Sequence, residues 1–352
     1  MLHRCTIVLG VLSLVLAAGS AQADVFNMGG TRNPATGVWT GQASLEFVTV
    51  GDPGNKADTG YPYSGSVPYV YGISKYDVTV AQYCQFLNAV AKSDPYGLYY
   101  VPMAGYYPTI GIARSGSSGS YIYAVTGSYA QAGNCPIFGV SWGDAARFCN
   151  WVQNGQPTGT ECMTTTEDGA YTLNGAVTDS ELMAVTRNAD ARYCLPSANE
   201  WFKAAYYKGG GTDAGYWSYT TRSNALPSNV LDPAGANNLN YYNGGYTDPT
   251  NFLTPVGAFS SSPGPYGTFD MAGDMMQYME DVAGSTSRMS RGCPYYATSP
   301  NLSKNQWWGG PPSWENIDGT IRITCVPEPS GLALLLAATL GPLAYAWRRR
   351  RV

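Results

Sequence analysis

Apolar and polar positions fall into helical spacing at three places along the chain. After Thr79, the side chains of Val80, Tyr83, Cys84, Leu87 and Val90 recur every three or four residues, which puts them on one face of a helix. Ala145, Ala146, Cys149 and Val152 repeat the pattern after Ser141, and Trp201, Ala204 and Ala205 do so after Ser197. Each stripe begins with a hydroxyl residue followed three positions later by Gln82, Asp144 or Glu200. This is a capping box: the hydroxyl accepts from an early backbone N–H and the later side chain reaches back. Cys84 and Cys149 lie on these stripes and read as small core residues. Leu45 to Val50 and Tyr69 to Tyr76 read as strands. Residues 207–266 show no periodicity and many turn pairs, among them Asp232-Pro233, Asn243-Gly244 and Asp248-Pro249. A stretch that long fits a compact domain only if it is functional or closely tied down.

Uninterrupted apolar runs occupy the two ends. Residues 5–19 follow the positive Arg4 and precede Ala21-Gln22-Ala23, the pattern of a secretory signal peptide over 1–23. At the other end, Val326-Pro327-Glu328-Pro329 breaks regular structure, because proline fixes φ and removes a donor. An uncharged stretch, 331–347, follows at the low edge of a membrane span, and then Arg348, Arg349, Arg350 and Arg351, which favour the cytoplasmic side. The ending over 326–351 resembles the PEP-CTERM sorting signal, which an exosortase recognises and removes in Gram-negative bacteria. The resemblance implies transient insertion in the inner membrane, then release to the cell surface or the extracellular matrix. Residues 24–325 then form one working domain.

Composition narrows the function classes. Between the two signals stand fifteen Lys plus Arg against twenty-three Asp plus Glu, a net charge of −8. No basic stripe exists to displace counterions from phosphates, which excludes a nucleic-acid partner. The only histidine is His3, so the mature chain has none. Ser-His-Asp and Cys-His catalysis are excluded with it, as is histidine-ligated zinc, copper or iron. Seven cysteines remain after Cys5 leaves: Cys84, Cys135, Cys149, Cys162, Cys194, Cys293 and Cys325. The number is odd, so at least one is free, intermolecular or reactive in an oxidising compartment.

Taken in order, several segments resemble the formylglycine-generating enzyme, or sulfatase-modifying factor, family. They are Tyr71 to Thr79 with the helix after it, Pro136 to Ala145, Arg192 to Trp201, Gly267 to Gly273, Arg291-Gly292, and Gly319 to Arg322. The resemblance spans roughly residues 45–325. It implies an α+β domain of variant C-type lectin-like fold, loop-rich, with few short helices and strands.

It also locates a site. Active family members bind copper with two cysteines and oxidise a cysteine of a protein substrate. Ungapped alignment puts Ala297 and Leu302 at those positions, so the resemblance argues against copper and against the family's catalysis. Cys293 is the one candidate reactive thiol, and a divergent copper-dependent oxidoreductase acting on protein cysteine is the alternative reading. The family also binds structural calcium through Asn and Asp side chains and loop carbonyls. Matching positions are Asp270, Ala272 and Asp274, with Asn240, Tyr241 and Asp248 as looser ones; a plain turn around Gly273 is equally consistent with the residues. Trp307, Trp308 and Trp314, with Tyr295 and Tyr296, are candidates for stacking on sugar rings or anchoring a protein partner, with core packing as the alternative for each tryptophan. The expectation is an exported surface or matrix protein that binds an exopolysaccharide or a surface protein.

Overall fold

The computed structural model describes residues 31–32, 39–40, 45–59 and 64–326. The signal peptide and nearly all of the sorting tail lie outside them; only Val326 of the tail motif lies inside. A two-stranded antiparallel pair comes first, β1 (Thr31–Arg32) with β2 (Trp39–Thr40). Next, β3 (Phe47–Val50) pairs antiparallel with β4 (Tyr71–Ser74), Val48 opposite Ile73. The first apolar stripe forms α1 (Val80–Val90), with all five predicted positions buried. Its capping box is complete: Gln82 N donates to Thr79 Oγ1 at 3.2 Å, and Thr79 N donates to Gln82 Oε1 at 2.9 Å. A hairpin of β5 (Gly111–Ser115) and β6 (Ile122–Thr126) packs beside it.

The second stripe forms α2 (Trp142–Gln153), and its burial exceeds the prediction. Every residue but the last is buried, including Asp144, Arg147 and Asn150. These polar groups are satisfied inside the core, as burial requires. Arg147 forms a two-pronged ion pair with Glu167, at 2.8 and 3.0 Å, and Asn150 donates to the carbonyls of Thr166 and Tyr171. Then α3 (Asp179–Ala184) opens on a fourth capping box, Thr178 with Glu181. It escaped the hydrophobic pattern because so short a helix buries only Leu182. After β7 (Tyr193–Cys194) the third stripe forms α4 (Ala198–Tyr206). Here Glu200 caps the helix and also pairs with Arg187 at 2.9 Å.

Residues 207–275 hold no helix or strand, only isolated bridges and turns. They are tied down by side chains bonding to backbone. Tyr241 Oη donates to Pro227 O at 2.6 Å, and Asn229 Nδ2 donates to the carbonyls of Tyr241 and Gly245. The chain then returns to strands: β8 (Met276–Val282), β9 (Arg288–Gly292), β10 (Trp308–Gly310), β11 (Gly319–Thr320) and β12 (Thr324–Cys325).

Two four-stranded sheets result, one ordered β3-β4-β12-β7 and antiparallel throughout, the other β10-β9-β8-β11 with β11 parallel to β8. Ile321, Arg322 and Ile323 carry the chain from one sheet to the other, and all three are fully buried. Arg322 bonds to Gln277 Oε1 on β8 at 2.9 Å, to the Ser74 carbonyl on β4 at 2.7 Å and to Asp77 at 2.8 Å. Burial pushes the Asp77 carboxyl up to about 7, against the pull of Arg322. A buried pair of this kind is costly to break, about 3–5 kcal/mol, because the survivor is left uncompensated. The result is an α+β domain with four short α-helices among the described residues and little regular structure. No helix among the described residues is long and apolar enough to cross a membrane.

Candidate functional site

The segment after β9 decides the chemistry. Cys293 is fully buried in an apolar cluster with Leu239, Tyr241, Ala272, Ala297 and Leu302. Its Sγ accepts from Gly273 N at 3.3 Å. Burial pushes the thiol up to about 12, although the Gly273 N–H opposes the shift. A thiol so placed carries almost no thiolate at neutral pH and offers no surface to a substrate. Ala297 and Leu302, at the two positions where the resemblance sets copper-binding cysteines, are core residues of the same cluster. They provide no donor atom in their side chains, so the residues here do not fit copper.

The same segment turns its other side outward. Tyr295 is half-buried and touches four rings: Tyr107, Tyr246, Phe252 and Tyr296, at centroid distances of 5.3–6.0 Å. Tyr106 extends the group from Tyr107, and Tyr242 extends it from Tyr246. The rings meet mostly edge to face, the arrangement their quadrupoles favour. Four of them reach solvent: Tyr106, Tyr242, Tyr246 and Tyr296. Tyr296 Oη donates to Asp318 Oδ2 at 2.5 Å. Burial pushes the Asp318 carboxyl up, and this hydrogen bond opposes it.

Sequence reasoning found Tyr295 and Tyr296 but missed Tyr106, Tyr242, Tyr246 and Asp318. They come from separate stretches, so no local pattern joins them. One signal was available, the tyrosine pairs. In Tyr106-Tyr107 the first ring is 46 % exposed and the second 2 %, and in Tyr241-Tyr242 the values are 0 % and 37 %. In these two pairs one ring is presented and its neighbour is buried, but the doublet alone is not diagnostic, since Tyr206 and Tyr207 are both buried.

The tryptophans stand apart. Trp308 lies on β10 opposite Ser290, half-buried, with its Nε1 donating to Gly292 O at 3.1 Å. Trp307 and Trp314 are exposed, so neither is a core residue. None of the three rings pairs with the tyrosines among the described residues.

The predicted calcium loop closes on itself. Asp270 and Asp274 both have positive φ, at 56° and 63°. Between them Gly273, φ 81°, passes so close to Asn240 that any side chain would meet its carbonyl. Asp274 accepts from Asn240 Nδ2 at 2.9 Å and from Thr254 Oγ1 at 2.7 Å, and Asp270 accepts from Gly257 N at 2.7 Å. Ala272 and Tyr241 face the apolar cluster instead. Burial first, then the neighbouring carboxylates Asp270 and Asp77, raises Asp274 well above the usual range. Asn240 Nδ2 and Thr254 Oγ1 occupy Asp274 as donors that a calcium ion would have to displace, while Asn240 Oδ1 is left without a partner beside it. Among the described residues no three His, Cys, Asp or Glu side chains are placed to hold a metal ion.

Comparison with known proteins agrees with this architecture. A family model described as the sulfatase-modifying factor enzyme 1-like domain matches residues 47–314. No curated protein sequence matches the chain. Among solved structures it is similar to Treponema denticola variable protein 1, at 14 % identity and a TM-score of 0.50, over 87 % of this chain and 99 % of that one. It is similar also to CarF, at 20 % identity and a TM-score of 0.50, over 81 % of this chain and 99 % of that one. At these identities the likeness is one of fold.

Proposed function

Because this chain belongs to the sulfatase-modifying factor enzyme 1-like family, we propose that it uses the family fold to bind rather than to catalyse. On this reading it is an exported protein of the cell surface or extracellular matrix. Its tyrosine face, centred on Tyr295, holds a glycan or a surface protein. One observation carries the reading: the segment that seals Cys293 and Ala297 in an apolar cluster exposes Tyr296, beside the half-buried Tyr295, on its other side. Tyrosines supply contact area at low entropic cost, since each has few rotatable bonds to freeze. The edge-to-face packing around Tyr295 holds the rings in place before a ligand arrives, which lowers the cost of binding. Exposed aromatic patches of this kind mark interaction sites. Trp307 and Trp314 offer a second, separate contact.

The test is retention of the exported protein in the surface matrix, with glycan-array binding alongside. Tyr295→Ala with Tyr296→Ala should release the protein and abolish array signal. Retention unchanged by the double variant overturns the reading, as does oxygen consumption with a cysteine peptide that depends on Cys293. Export itself rests on the signal peptide over 1–23 and the exosortase-type tail over 326–351. It predicts a mature protein that starts near Asp24 and lacks the four arginines, as read by intact mass.

A further inference from the structure

Asp318 is a carboxylate without a countercharge at the edge of an aromatic face. Its Oδ2 accepts a hydrogen bond from Tyr296 Oη, and its Oδ1 is buried with no hydrogen-bond partner. No Lys or Arg pairs with it among the described residues. Three buried carboxylates do have such a partner, Glu167 with Arg147, Glu200 with Arg187 and Asp77 with Arg322, while Asp270 and Asp274 are held by neutral donors. A carboxylate left unpaired beside apolar surface costs free energy that a cation from outside would recover.

The bond to Tyr296 fixes what the face offers. A phenol has one proton, and here it is committed to the hydrogen bond with Asp318. Tyr296 Oη therefore turns only lone pairs toward solvent, and it accepts from a ligand but does not donate. The negative charge behind it strengthens that acceptor. Its ring neighbour is Tyr295, from which the face continues to the exposed Tyr246 and Tyr242 and, through Tyr107, to the exposed Tyr106; electron-rich ring faces attract cations and cover apolar surface.

We infer that this face, if it is the binding site proposed above, recognises an amino sugar within a glycan. The pyranose covers the exposed tyrosine rings and its ammonium group donates to Tyr296 Oη, over the Asp318 charge. A neutral sugar would cover the rings but leave Asp318 unmatched. An acidic sugar would be repelled, both locally and by the domain's net charge of −8. A lysine side chain would match the charge but has no ring to cover the tyrosines. An amino sugar brings the apolar ring face and the cation on one residue.

The experiment titrates the full chain with three probes of equal length: a glucosamine oligomer, its N-acetylated form and a glucose oligomer, at a pH where the amine is protonated. The glucosamine oligomer should bind about tenfold tighter than the other two, the value of one charge-assisted hydrogen bond. Asp318→Asn and Tyr296→Phe should erase that preference and keep the residual affinity; Tyr296 is 45 % exposed, so its variant tests binding without a folding defect. Equal affinity for all three probes, lost in Tyr295→Ala, overturns the amino-sugar inference and leaves the binding reading standing. Binding of an oligolysine peptide without any sugar also overturns it. No Tyr295-dependent binding to any probe, with matrix retention unaffected by Tyr295→Ala, overturns the underlying reading as well.

Discussion

Two sides of one short segment, Cys293 to Ala297, have opposite chemistry. The inner side gives Cys293 and Ala297 to an apolar cluster with Leu302 and Leu239. The outer side gives Tyr295 and Tyr296 to an aromatic face with a carboxylate at its rim. The inner side keeps a cysteine and removes what makes a cysteine reactive, namely exposure and a field that favours the thiolate. The outer side has no nucleophile and gains rigid contact area. Residue identity alone does not say which of these a position supplies; the direction of the side chain does.

Four measurements would break or sharpen that contrast. The largest difference lies between thiols. Cys162 is partly exposed, and hydrogen bonds from the Thr164 and Thr165 hydroxyls hold its thiol below the usual range. Cys293, held up to about 12, carries only about one thiolate in ten thousand at pH 8 while the domain is folded. Alkylation followed by peptide mass mapping should therefore mark Cys162 long before Cys293. Equal labelling would mean that the inner side is open. Leu302→Ala comes next. It leaves a void in the cluster and should cost about 2–5 kcal/mol in urea unfolding, while the tyrosine face keeps its ligand. A loss of binding as large as the loss of stability would show the two sides to be one unit.

The third is a titration in which the signs oppose. The Asp318 carboxyl is raised above its ordinary 3.8 in the folded chain. Its contribution to stability is therefore fully present below 3.8 and declines as pH rises through the raised value. Binding of a cation needs the ionised form and should decline as pH falls through the same value. Across that window the wild-type urea melts and ligand titrations, each taken relative to Asp318→Asn so that carboxyls such as Asp77 cancel, should move in opposite directions; parallel movement would separate Asp318 from the ligand. The smallest effect expected is that of a chelator. Asp274 is already satisfied by Asn240 and Thr254, so EDTA should leave Tm unchanged, and a fall of several degrees would restore calcium to the Asp270–Asp274 loop.

Much of the fold was legible because its helices obey local rules. Three capping boxes and three apolar stripes were readable, since the signals lie within one turn of one another. The fourth box, at Thr178, had no stripe behind it. Residues 207–266 were readable only as turns, because Asn229 and Tyr241 hold them through contacts that leave no period. The site was less legible still. Its tyrosines are separate in sequence, and the exposed tryptophans, the more conspicuous aromatic signal, stand outside the cluster. The pairing of Arg322 with Asp77 likewise joins distant residues.

The central place of β12 has a consequence for the order of events in the cell. Thr324 and Cys325 pair with β4 on one side and β7 on the other, and Val326 N donates to Arg192 O. A chain synthesised or delivered from its N-terminus keeps a gap in the middle of this sheet until residue 325 arrives. The domain cannot close progressively; its final stretch is the keystone. Cleavage downstream of Val326 would leave that strand in place, whereas a cut a few residues upstream would remove the middle of a sheet already built around it.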